Sequence, residues 1–310
     1  MNIAITLIAA VLAGAGFVLQ QHAAEQAPKS YFLRLRLITT LLHRPRWLAG
    51  VAVMAAGQVL SAWAVGHLAL SLAEPLLTSS LIFALALAVP LSGQRLQAAE
   101  VFGAVLLSAG VAALSVARSA GAPSESFGSF AAWPAAAGIA AVAAGFLVAG
   151  LRRSGPQRAT LTGAAAGLVF GISDALTRRA VELLNHHSVL VLLTSWPGYT
   201  LAVASLAGFW LMESAFNAAP LHASLPAITA AEPIAGMLLG VVVFGDVIHV
   251  SPGMLALQAA GLAAMVLGVI LVARAPVLSR LGRPVPLLRR HPVASQAGPL
   301  ASPPRPPAGR

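Results

Sequence analysis

Apolar positions in this chain come in long, almost unbroken runs rather than in the spaced stripe of a helix that keeps one face in water. A helix needs roughly 20 consecutive apolar residues to cross a hydrocarbon core of about 30 Å. Runs of that length, bounded by charge, proline or glycine, predict nine spans at 2–20, 47–67, 70–92, 98–118, 132–151, 159–181, 188–212, 220–244 and 253–274. The junctions near His67 and Pro220 are short, so the helices on either side must form tight hairpins. The stretch 31–42 is apolar but too short to cross, and it carries Arg34 and Arg36. It is expected to lie at the interface as a short helix or re-entrant piece, with the arginines reaching the headgroups. The first run has no basic residues ahead of it and is longer than the apolar region of a secretory signal, so it is expected to stay as a span. From Ala275 onward nine prolines fall in 36 residues with few large apolar side chains, which predicts a disordered tail over 275–310.

Composition turns these runs into a class. Only 9% of the residues are charged and 58% are hydrophobic, with a mean hydropathy of +0.84. A soluble domain carries about 25% charge, so the chain reads as an all-α integral membrane protein. With no cysteine, disulfides, thiol catalysis, iron–sulfur clusters and Cys-based zinc sites are excluded. The net charge of +10 does not mark a nucleic-acid surface, because the basic residues flank the apolar runs. Seven of the 19 Lys/Arg lie at or after Arg274, and five fall between Lys29 and Arg46. Short-loop lysine and arginine sit on the cytoplasmic side. With the N-terminus outside, sixteen of them face inward, leaving Arg118, Arg178 and Arg179 outside. The reading is a plasma (inner) membrane protein with its N-terminus out and its C-terminus in the cytoplasm.

Laid on itself with a shift of roughly 150 residues, the chain shows a weak internal likeness. GAGFVLQQ at Gly14–Gln21 resembles GISDALTR at Gly171–Arg178, and SLAEPLLTSSLIFALALAVPLSGQRL resembles ASLPAITAAEPIAGMLLGVVVFGDVI. Spans one to four would then correspond to spans six to nine, with the fifth as linker, so that equivalent helices run in opposite directions. That divides the chain into a first half (1–131), a linker span (132–158), a second half (159–274) and the tail. Inverted 4+1+4 repeats are a common build of secondary transporters.

The same segments, with AVGHLALSLAEPLL, SGQRL, GISDALTRRA and ESAFNAAPLHASLPAITAAEPIAGMLLGVVVFGD, resemble the EamA-like drug/metabolite transporter superfamily, and within it the nine-span NIPA-like magnesium transporters. The resemblance covers about residues 2–274. It implies transport by alternating access without a cofactor. Gln20, Gln21 and His22 stand where lysines commonly follow the first span of the NIPA-like pattern.

Within the apolar runs, acids need a reason to be there, since a charge at mid-bilayer costs about 2.5–3.5 kcal/mol on insertion scales. Glu232 lies at the middle of the eighth span between Pro226 and Pro233, which remove backbone hydrogen bonds and were expected to break the helix around a substrate or proton site. Glu74, followed by Pro75, opens the third span from the outer side. Asp174 and Arg178 are one turn apart on the sixth span, as an ion pair or a gate. Glu213, at the inner end of the seventh span, reads as solvated. Gln21, Gln58, Trp63, Ser80 and Tyr199 are candidate cavity-lining residues, and Gln20, Thr78, Trp196 and Asn217 could add hydrogen bonds or ring faces. Gly163, Gly167 and Gly171 place small residues at four-residue spacing, which suits close helix packing. His186 and His187 fall in a loop without ligand spacing, and no hydrolase, zinc-protease or phosphate-loop motif occurs, so the chain does not read as an enzyme.

The leading expectation is a secondary transporter of a small solute. For Mg²⁺, Glu232, Asp174 and Glu74 would supply oxygen ligands while the ion keeps waters. For an organic cation or metabolite, one carboxylate with Trp63, Trp196 and Tyr199 would suffice. A non-transporting membrane scaffold is the alternative of another class. The expected partners are the bilayer and the solute, with no nucleic acid; a homodimer is left open.

Overall fold

The computed structural model describes residues 2–67, 76–77, 79–92, 98–119, 132–186, 188–244 and 251–281. They form helices throughout, with no strand among the described residues. In chain order the helices are α1 (Asn2–Glu25), α2 (Leu35–Leu41), α3 (Pro45–His67), α4 (Ser80–Ser92), α5 (Ala98–Ser119), α6 (Ala132–Leu151), α7 (Gly155–His186), α8 (Val189–Thr194), α9 (Trp196–Ala218), α10 (Leu221–Phe244) and α11 (Pro252–Leu281). Among the described residues, seven helices are long and apolar enough to span a bilayer: α1, α5, α6, α7, α9, α10 and α11. The chain is therefore a multi-pass helical membrane protein. The second predicted span is the 23-residue helix α3. Of the third, 70–92, only its later part is described, as α4.

Two boundaries differ from the sequence reading. The run 188–212 is not one helix: it breaks at Ser195, which is extended (φ −102°, ψ 156°), between α8 and α9. Pro197 has no N–H to carry α8 on through this point, and it sits in the first turn of α9, where that N–H is not needed. α9 then runs on to Ala218, placing Glu213 inside a helix rather than at its end. At the C-terminus α11 continues through Pro276 to Leu281, so the first residues assigned to the tail are helical. Pro276 forfeits a single backbone bond there; the rest of the tail lies outside the described residues. His186 is the last residue of α7 rather than part of a loop, and His187 lies outside the described residues. Within the stretch 31–42, the seven-residue helix α2 buries Leu37 and Leu41 while Leu35 faces outward. The Arg36 guanidinium lies 5.0 Å from the Tyr31 ring centroid.

Packing groups the helices in a regular way. α1 packs on α3 and α4, α7 packs on α9 and α10, and α5 pairs with α11; α6 lies against α7. The α7–α10 seam is made by the three glycines picked out from spacing. A β-carbon on Gly163 would lie 2.7 Å from the Ser224 carbonyl oxygen, and one on Gly171 would lie 2.5 Å from that of Glu232. One on Gly167 would collide with the Ile228 carbonyl oxygen. The α5–α11 seam is reciprocal: Gly110 abuts the backbone of Gly261, and Gly103 that of Gly268. Small residues let backbones meet where lipid offers no hydrophobic drive to associate. Between the seams, Phe216, Leu81, Leu107, Leu225, Leu239 and Met265 are fully buried.

Candidate functional site

Glu232 lies on α10 where its backbone abuts Gly171 of α7. Asp174, three residues beyond Gly171, is within electrostatic reach of the Glu232 carboxyl. The glycine face thus brings together two acids that are far apart in sequence. Glu232 is half-buried, Asp174 exposed and Arg178 half-buried. Pro226 and Pro233 sit inside α10, which runs without interruption from Leu221 to Phe244, so the expected helix break does not occur. Each proline removes one backbone bond, and packing along α7 holds the helix through both. Glu74, Pro75 and Thr78 lie outside the described residues.

The remaining predicted lining residues are scattered. Gln21 is buried and donates to Glu25 Oε2 at 2.8 Å at the far end of α1. Gln58, Trp63 and Tyr199 are exposed and Ser80 is half-buried. None of them lines the open cavity of about 740 Å³ bounded by α6, α7, α10 and α11. That cavity is walled by apolar chains, among them Ile139, Phe146, Leu168, Ala231 and Ile234, with Thr160 as its polar margin. Among the described residues no three His, Cys, Asp or Glu gather as a metal-ligand set.

Sequence reasoning missed a second polar site at the C-terminal end of α1. Glu213 is fully buried, and neither carboxyl oxygen has a hydrogen-bond partner among the described residues. Its polar neighbour is the indole Nε1–H of Trp47, which does not reach good hydrogen-bond geometry. One turn along α9, the Asn217 amide donates to Ala24 O at 2.8 Å and Ala27 O at 3.1 Å, tying α9 to the end of α1. Lys29 Nζ donates to the Asn217 carbonyl. Gln20 of α1 is fully buried against Gly50 of α3; its amide N–H points to Met54 Sδ at 3.4 Å while its Oε1 is unpaired. Glu213 was read as solvated because hydropathy placed the helix end at 212. The signal for the longer helix was Pro220, the first residue after FWLMESAFNAA that must stop it.

Comparison with known proteins bears on the family. No family model matches the sequence. An uncharacterized protein of Corynebacterium glutamicum is 31% identical over 235 residues, covering 74% of this chain and 80% of the relative. The chain belongs to that protein's family. No solved structure matches. Membership fixes a shared ancestry and carries no activity with it, since the relative has none in its description.

Proposed function

We propose that the protein is a secondary transporter of the drug/metabolite transporter type, moving a small organic cation by alternating access. The observation that carries this reading is the Glu232–Asp174 pair on the α7–α10 glycine seam. A half-buried carboxyl such as Glu232 in an apolar bundle is expensive, and a cationic solute that visits it beside Asp174 offsets that cost. The apolar cavity against α7 and α10 favours an organic solute over Mg²⁺, which retains water and seeks several oxygen ligands.

The grouping of the helices supports an inverted repeat. The first helix of each half packs on the second and third, and the two fourth helices pair with each other. On this reading Gly103 corresponds to Gly261 and Gly110 to Gly268, so the contacts Gly103–Gly268 and Gly110–Gly261 exchange under one two-fold axis. The count is nine spans, with α3 and the 70–92 run added to the seven, and the protein sits in the plasma membrane with its C-terminus in the cytoplasm.

Purified protein in proteoliposomes tests the assignment. The wild type is expected to pass an organic cation from a panel that also includes Mg²⁺. Glu232→Gln should lower that flux by about tenfold or more, the equivalent of losing one charge-assisted contact. Equal flux in the variant refutes the site, flux of Mg²⁺ alone refutes the substrate class, and flux of nothing refutes transport.

A further inference from the structure

The Glu213 pocket has an imbalance that the seam at Glu232 does not explain. Four fully or almost fully buried side chains on α1, α3 and α9 share this level of the bundle: Trp47 neighbours Glu213, Asn217 is one turn from Glu213, and Gln20 is one turn from Ala24, whose carbonyl Asn217 binds. Their unpaired atoms are four oxygens, Gln20 Oε1, both Glu213 carboxyl oxygens and Asn217 Oδ1, against one donor, the Trp47 indole N–H. A buried carboxylate is retained only where positive charge or donors meet it.

Among the described residues, no charged group on the surrounding elements hydrogen-bonds the Glu213 carboxyl. Glu25 of α1 accepts from Gln21. Lys29 is on the Asn217 carbonyl. Arg44, just before α3, donates to Ala23 O and Gln26 Oε1. Arg158 of α7 donates to Arg153 O and lies over the Phe32 ring at 4.9 Å. His222 of α10 is half-buried, with Glu100 and Glu25 as the acids nearest in its electrostatic surroundings. The pocket is therefore rich in acceptors and short of donors, with the Lys29 ammonium stopping at the Asn217 backbone on its edge.

We propose that this pocket is a binding site for a single small cation, a proton or a sodium-sized ion, with Glu213 as its charged ligand and the Gln20 and Asn217 amide oxygens as neutral ones. Oxygen donors of this kind suit hard cations. The ion would replace the donors that the protein omits. It would also join α1, from the first half of the chain, to α9, from the second, where Asn217 already ties them.

Trp47 gives a direct readout that needs no transport and no intact Glu232 site. In the full-length protein in nanodiscs, the fluorescence difference between wild type and Trp47→Phe isolates this indole among the five tryptophans. One arm titrates NaCl, LiCl and KCl against N-methylglucamine chloride at fixed pH and ionic strength. The other scans from about pH 5 to 9, the range over which proteins are commonly stable, without alkali ions. A saturable response in the salt arm identifies a metal ion, and one confined to the pH arm identifies a proton; either must vanish in Glu213→Gln and persist in Glu232→Gln. Gln20→Met keeps the carboxylate, removes one oxygen and should weaken the apparent affinity about tenfold, matching one lost buried contact. No response in either arm overturns the proposal. So does a response that survives Glu213→Gln, or an affinity that Gln20→Met leaves unchanged.

Discussion

Amides at the end of α1 do work that apolar residues cannot, because the helix terminus there leaves backbone carbonyls without partners. Ala24 and Ala27 supply two such carbonyls, and both accept from the Asn217 side chain. Asn217 is fully buried, so losing it strands the acceptors away from water. Asn217→Ala is expected to destabilise the protein by about 1–3 kcal/mol, the cost of leaving buried acceptors unsatisfied. Thermal unfolding in one detergent, compared with the exposed control Gln58→Ala, checks this; equal midpoints would mean water reaches Ala24 and Ala27. The residue pattern alone showed Asn217 as polar and no more. Its partners lie at the other end of the sequence, and nothing local in ESAFNAAP names them.

Helices meet here through small residues, and that level of organisation could be read from the chain. Gly163, Gly167 and Gly171 repeat at the spacing of one helical face, so spacing alone identifies a seam. What spacing could not supply was the partner, because α10 offers backbone carbonyls there rather than a matching glycine motif. Nor could hydropathy show the break at Ser195, since averaging over a window hides one extended residue between two apolar helices. The prolines of α10 misled in the opposite sense: a helix held along its length by a neighbour tolerates the loss of single bonds. The seam makes a sharp contrast testable. Gly167→Leu would drive a side chain into the Ile228 carbonyl, whereas Gly138 on α6 has open space around its β-position. Overpacking costs about 1–3 kcal/mol where neighbours can shift and more where backbone is struck. Gly167→Leu should abolish monodisperse elution in size-exclusion chromatography, and Gly138→Ala should elute as wild type. On the α5–α11 seam, Gly110→Ala and Gly261→Ala crowd one gap, so their combined loss of thermal stability should depart from the sum of the single losses. Strict additivity would show that the two helices separate independently of each glycine.

Across the whole molecule the contacts sort the helix ends into two faces. Lys29 on Asn217 and Arg158 over Phe32 put the end of α1, the start of α7 and the end of α9 on one face. The Trp133 and Trp196 rings, 4.9 Å apart, put the starts of α6 and α9 on the other. Tryptophan gathers at membrane interfaces, and lysine and arginine gather on the cytoplasmic one. In the orientation we propose, the arginine-rich face, with Lys29, Arg44, Arg152, Arg153 and Arg158, is the inner one. Because the chain has no cysteine, each face can be probed with a single introduced thiol and no background. Ser30, Ser154, Ser188 and Ser251 are all exposed, Ser30 in the short 3-10 turn Lys29–Tyr31 and Ser154 just before α7 on the arginine-rich face, Ser188 just before α8 and Ser251 just before α11. With a membrane-impermeant maleimide on intact cells, Ser188→Cys and Ser251→Cys should be labelled, while Ser30→Cys and Ser154→Cys should react only after the membrane is opened. The reverse pattern would invert the protein in the bilayer and move the Glu213 pocket to the outer side. Labelling of all four in intact cells would mean that the two faces do not bound a membrane. The orientation decides which compartment the proposed pocket adjoins: with Ser30 and Ser154 inside, its Asn217 edge, where Lys29 binds, lies toward the cytoplasm.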